Sequence, residues 1–371
     1  MMMSQKNFKD IFFNNVIDFL WRQWSALGVL GSSVAKENWA LDPEALLVFT
    51  LDMGRYEPRL FDEVMDWLVT NGQWIDMQRL RGILNKRNDN TRRLMGAVSE
   101  FLSSKGQERK WKNLAALYYQ DIPTEREPLF KLQNVEKHIA AVIGVDTDNS
   151  FSKYGFFRAL LETSRKSREV SPTAGSTIRF MLRALFGVSS RAECILYLLT
   201  HDGGHPSELA SAIGISTRGA QDALIELAKS GLVLTRSRGK RKIEYWLSQE
   251  RWWEFLSRGG LDEIKRPVWI DWIALYGALL EVWNALTEIQ ATESEYLKSS
   301  RLRDAMEIVG NEFARSGIDI SAIPGPNVKP ENYEKAFIEF IGRVFGINEN
   351  VSANNSGLKS VSKIKVRKLL W

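Results

Sequence analysis

The chain has 371 residues, 44 % of them apolar, a net charge of +5 and a single cysteine. That length predicts about two or three domains, and one cysteine excludes an intrachain disulfide or a multi-cysteine metal site. No run reaches the ~20 apolar residues of a membrane span, and the opening MMMSQKNFKD lacks the order of a secretion signal, so a cytoplasmic protein without a membrane partner is expected.

Residues 8–31 read as a helix in which Ile11, Phe12, Val16, Phe19, Leu20, Trp24 and Leu27 share one wide apolar face. Such a face must dock, either on the chain's own core or on a dimer partner. Asp42-Pro43 starts a helix over PEALLVFTLDMGR, Pro58 opens another that Gly72 closes, DMQRLRGILN is a short third, and Asn88-Asp89-Asn90 caps a fourth. This order predicts a second helix-turn-helix over about 60–103, carrying Arg79, Arg81, Lys86, Arg87, Arg92 and Arg93. An ordinary helical bundle with a solvated basic face is the alternative. Residues 1–120 form the expected N-terminal domain. Residues 121–175 read as a connector with short helices, one over 136–145 and one over YGFFRALLETSRK, followed by the linker SREVSPTAGS.

The segment 176–258 carries the clearest pattern. TIRFMLRALFG leads into the apolar helix RAECILYLLT, where Cys194 belongs to the packed side. His201-Asp202-Gly203-Gly204 breaks it, Pro206 opens the short helix SELASAIG, and Gly214 ends that one. Ser216 then caps a helix running through Leu224 and Leu227 to Gly231. LVLTR, the turn SRGK and RKIEYWL make a hairpin. Helix, helix, tight turn, helix and hairpin is the order of a winged helix-turn-helix.

The run ISTRGAQDALIELAKSGLV resembles the recognition helix of MarR/ArsR-type winged helix-turn-helix regulators at Ser216, Ala220, Leu224, Leu227 and Gly231-Leu232-Val233, within about residues 189–256. The resemblance implies sequence-specific binding of double-stranded DNA by a transcriptional regulator acting as a homodimer. Its contacts would come from Ser216, Thr217, Arg218, Gln221 and Asp222 on the recognition helix and from Arg236, Arg238, Lys240, Arg241 and Lys242 on the wing. Arg suits guanine O6 and N7, Gln suits adenine N6 and N7, and Asp can accept from cytosine N4. Asp222 and the helix-weakening Gly219 depart from the regulator pattern, and they motivate the alternative: an interaction scaffold or antitoxin-like subunit using the same fold on a protein partner.

After the hairpin, QERWWEFLSRGG reads as a closing helix. A C-terminal helical domain over 262–347 follows, with a long helix from Pro267, and the basic tail 348–371 ends the chain. The fold expected is mainly α: a multi-helix protein around a central winged module with one β-hairpin. Phosphate-binding glycine loops, metal-ligand spacings and catalytic triads are not evident, so neither a cofactor, a metal nor an enzymatic activity is expected. The pair His201 and His205 lacks the spacing of a metal site, and nothing in the sequence names an effector.

Overall fold

The computed structural model describes residues 5–30, 39–106, 109–119, 126–131, 147–164, 166–172, 175–238, 242–257 and 266–346. These are mainly helical, with fifteen α-helices and two two-stranded sheets among the described residues. The chain divides into two units, one of 1–21 with 270–371 and one of 22–269. Helix α1 (Gln5–Ala26) contributes residues to both.

The unit 22–269 begins with α2 (Pro43–Met53), which is buried on nearly every side. Pro43 sits in its first turn and the Asp42 carboxylate accepts from the Ala45 N–H at 3.0 Å, so the helix starts where the sequence predicts. α3 (Pro58–Asn71), α4 (Met77–Leu84), α5 (Asp89–Ser104) and α6 (Arg109–Leu117) follow. Asp76 caps α4 and Asn88 caps α5, each through its side-chain oxygen. The basic face expected here is only partly solvated: Arg81 is exposed, whereas Arg79 is wholly buried and Arg93 nearly so.

The stretch 154–166 departs from expectation. Instead of a helix, a single turn α7 (Asn149–Ser152) gives way to β2 (Phe156–Phe157), which lies parallel to β1 (Glu127–Pro128). Side-chain acceptors hold the following backbone extended. Asp148 takes the Leu161 N–H at 3.1 Å, Asp66 takes those of Lys166 and Ser167 at 3.0 Å, and Asn71 takes that of Val170 at 3.0 Å. Helical spacing of Phe, Leu and Leu is therefore overridden by carboxylates and an amide distant in sequence. The predicted linker is likewise tied down, with Ser167 and Val170 buried. The helix expected over 136–145 lies outside the described residues.

Next come α8 (Ile178–Phe186), α9 (Ser190–Thr200), α10 (Pro206–Ile213), α11 (Thr217–Lys229), β3 (Leu234–Arg238), β4 (Lys242–Trp246) and α12 (Gln249–Leu256). α9 packs on α8, α10, α11 and α12. Its Cys194, Ile195, Leu198 and Leu199 join Leu209, Ile213, Leu224, Leu227, Val233, Tyr245 and Trp253 in one apolar core. Burial and the adjacent Glu193 push the Cys194 thiol up to about 12.

Beneath that core lies a cluster of six buried charges: Asp42, Glu44, Arg79, Arg179, Arg183 and Glu193. Arg183 bonds Glu44 through Nη1 at 2.7 Å and Glu193 through Nη2 at 2.6 Å. Arg79 bonds Glu44 at 2.6 Å and Asp42, while Arg179 bonds Glu193. Three guanidiniums against three carboxylates leave no net charge, which is the condition for burying ions at all. Burial by itself would raise the carboxyl pKa values. Arg179 and Arg79 overcome it at Asp42, whose pKa falls well below the ordinary range, and Arg183 and Arg79 overcome it at Glu44, whose pKa is also lowered. The cluster ties α2 and α4 to α8 and α9. It also reaches the α10 terminus, because Arg79 Nε donates to the Ile213 carbonyl at 2.5 Å.

In the other unit, α13 (Trp272–Gln290), α14 (Glu295–Arg315) and α15 (Pro330–Val344) surround the N-terminal part of α1. Phe12 meets Phe345 edge-on at 5.7 Å, Phe13 meets Trp283 at 5.2 Å and Phe19 meets Trp272 at 6.1 Å. The apolar face of α1 is thus used inside the chain. α13 starts later than Pro267, because Asp271 caps it by accepting from the Ala274 N–H at 3.0 Å. The tail 348–371 lies outside the described residues, and no described helix is long and apolar enough to cross a membrane.

Candidate nucleic-acid interface

The site is built from the Gly214 turn outward. Pro206 opens α10, and a reciprocal cap between His205 and Glu208 satisfies its first N–H groups. Gly214 ends α10 with φ +73°, a left-handed conformation that a residue with a Cβ adopts only at a cost. Two residues later the Ser216 hydroxyl accepts from the Gly219 N–H at 3.1 Å and starts α11. Arg79 holds the last carbonyl of α10, and Gly82 on α4 lies so close that a Cβ there would be 3.0 Å from the Gly214 oxygen. The turn is therefore held from below by α4.

α11 is two-sided. Ala220, Ala223, Leu224 and Leu227 are buried in the core. Ser216, Thr217, Arg218, Gln221 and Asp222 are exposed at its N-terminal end, all within the first two turns. Arg218 and Asp222, one turn apart, approach to 3.8 Å, but at 93 % and 66 % side-chain exposure this pair contributes little and yields readily. Thus all five residues expected on this helix lie together and open.

The hairpin β3–β4 pairs antiparallel with Arg236 opposite Glu244 and Arg238 opposite Lys242. A third, single-residue rung joins it: Gly204, between α9 and α10, exchanges both backbone hydrogen bonds with Tyr245, at 2.9 and 3.0 Å. Of the five wing cations, Lys242 is exposed and Arg236 is engaged by Glu244 at 2.6 Å. The side chain of Arg238, and Lys240 and Arg241 altogether, lie outside the described residues. Glu244 was legible as the one acid in RKIEYWL; its register opposite Arg236 was not.

The histidines have structural partners. His201 stacks on Tyr197 with centroids 3.8 Å apart, its Nδ1 lies 2.9 Å from the Tyr197 carbonyl, and burial lowers its pKa. His205 caps α10. Among the described residues no group of three His, Cys, Asp or Glu could hold a metal ion. Compared with known proteins, the chain matches no family model, no curated protein and no solved structure.

Proposed function

We propose that residues 189–256 form a winged helix-turn-helix that binds double-stranded DNA in a sequence-specific way, and that the protein acts as a transcriptional regulator. α11 enters the major groove with Thr217, Arg218, Gln221 and Asp222 toward base edges, while the hairpin cations follow phosphates. The observation carrying this reading is the division of α11 into a core face and an open polar face directly after a capped, glycine-ended turn. The additional rung from Gly204 to Tyr245 supports it, since it joins the segment between α9 and α10 to the hairpin.

The test is a gel shift of the full chain against genomic duplex fragments, followed by competition on a selected site. Arg218→Ala with Gln221→Ala is expected to cost about 1–3 kcal/mol per lost base contact on that site and almost nothing on random duplex. A wild-type band that is absent at low salt, or one the double variant leaves unchanged, removes the reading.

A second reading has its own support. Ile225, Leu232, Leu234, Ile243 and Phe255 are apolar and exposed on α11, the connection after it, the hairpin and α12. A protein partner, including a second copy of the chain, could cover them. The apolar face of α1 gives a dimer no support, because it is occupied within the chain. Sedimentation of the purified protein separates these cases: a monomer that shifts duplex favours DNA, and a stable dimer dispersed by Phe255→Ser favours the apolar surface.

A further inference from the structure

A cavity of about 490 Å³ opens between the end of α4, the start of α5 and the end of α6. It is of the size that small ligands occupy. Its lining includes three guanidiniums, Arg81, Arg92 and Arg93, together with Asn85, Asn90 and Tyr118. The one acid in the lining, Asp89, is already bonded to Arg92.

Two donors in this wall lack acceptors. Arg93 is 9 % exposed; its Nη2 serves Asn90 and Glu127, and its guanidinium lies 4.3 Å from the Phe156 centroid, yet Nη1 has no hydrogen-bond partner among the described residues. The Tyr118 hydroxyl is likewise buried and unpartnered. A buried donor left unpaired costs free energy comparable to a lost hydrogen bond, so two in one cavity wall call for an acceptor. Burial raises the Tyr118 pKa while Arg81 and Arg92 oppose it, which sets both cations near that hydroxyl. The start of α5, a helix of 16 residues, adds its N-terminal dipole. Arg81 is exposed at the mouth and has no acid partner among the described residues.

We propose that this cavity binds a small multiply charged oxyanion, a phosphate ester, a pyrophosphate or a polycarboxylate, gripped by Arg81, Arg92 and Tyr118 above the buried Arg93. The inference is independent of the DNA reading, because none of these residues belongs to 189–256.

The probe is inorganic pyrophosphate, with citrate as the carboxylate arm, titrated calorimetrically into the full chain at constant ionic strength. Saturable one-site binding is expected for at least one of the two. Arg81→Gln is expected to weaken it about tenfold and Tyr118→Phe about threefold, as removal of a charged and a neutral donor should. Both substitutions are mild for folding, and a thermal melt verifies this. Arg191→Gln, an exposed cation elsewhere, should leave affinity unchanged. Absence of saturable binding by both anions overturns the proposal, as does equal weakening by Arg191→Gln. If neither anion binds while Arg81→Gln lowers duplex affinity, the cavity wall is a nucleic-acid phosphate contact and the proposal also fails.

Discussion

Arg183 gives two edges of its guanidinium to carboxylates, Nη1 and Nη2 to Glu44 and Nε and Nη2 to Glu193, with the Trp74 carbonyl as a further acceptor. Removing it leaves three buried carboxylates, Asp42, Glu44 and Glu193, facing only Arg79 and Arg179. Arg183→Met, close in volume and without charge, is therefore expected to destabilise the unit 22–269 by roughly 3–5 kcal/mol. Urea unfolding measures this. A midpoint near wild type would mean that the remaining charges rearrange freely, contrary to a wholly buried cluster. At this scale the sequence was least informative. Arg79 stood among cations spaced like a solvated face, and Arg179 and Arg183 stood in an amphipathic helix whose polar side looks open. Nothing local distinguishes an arginine that meets water from one that meets Glu44, because the partner comes from another helix.

Individual elements were easier to read. Pro43, Pro58 and Pro206 each open a helix, and Asp42, Asp76, Asn88 and Ser216 each cap one, because these residues act on backbone groups within a few positions. The α10–Gly214–Ser216–α11 connection was legible for the same reason. The stretch 154–166 was not, since the carboxylates fixing its backbone lie outside it, Asp148 before it and Asp66 on α3. The hairpin falls between: its turn and strands were readable, its charge balance was not. Glu244 occupies Arg236 from the opposite strand. If the hairpin follows phosphates, Glu244→Gln frees a cation and removes an anion. Duplex affinity should rise, and the slope of log affinity against log salt should steepen by about 0.9 for each further phosphate neutralised. An unchanged slope would show that the hairpin does not meet the duplex.

For the molecule as a whole, the buried cluster sets the response to acid. Asp42 and Glu44 hold their protons less tightly folded than unfolded, so unfolding takes up protons as pH falls through the ordinary carboxylate range. Their contribution is present above that range and is lost on acidification. The melting temperature should therefore drop steeply between about pH 5 and pH 3, and a flat profile there would contradict ionised, buried carboxylates. The sequence pointed to a mainly α chain and to separate modules at 1–120 and 176–258. Packing divides the chain into a unit of 22–269 and one of 1–21 with 270–371.

That cluster has a bearing on portability. Glu44 and Arg183 are 139 residues apart in the chain, yet each completes the other's shell. Cut loose as a fragment, the stretch 176–258 would keep Arg179, Arg183 and Glu193 but forfeit Asp42, Glu44 and Arg79, stranding an unmatched positive charge in what had been its interior. The segment proposed to read DNA is therefore not a cassette, and it is expected to lose stability when separated from the helices that neutralise it.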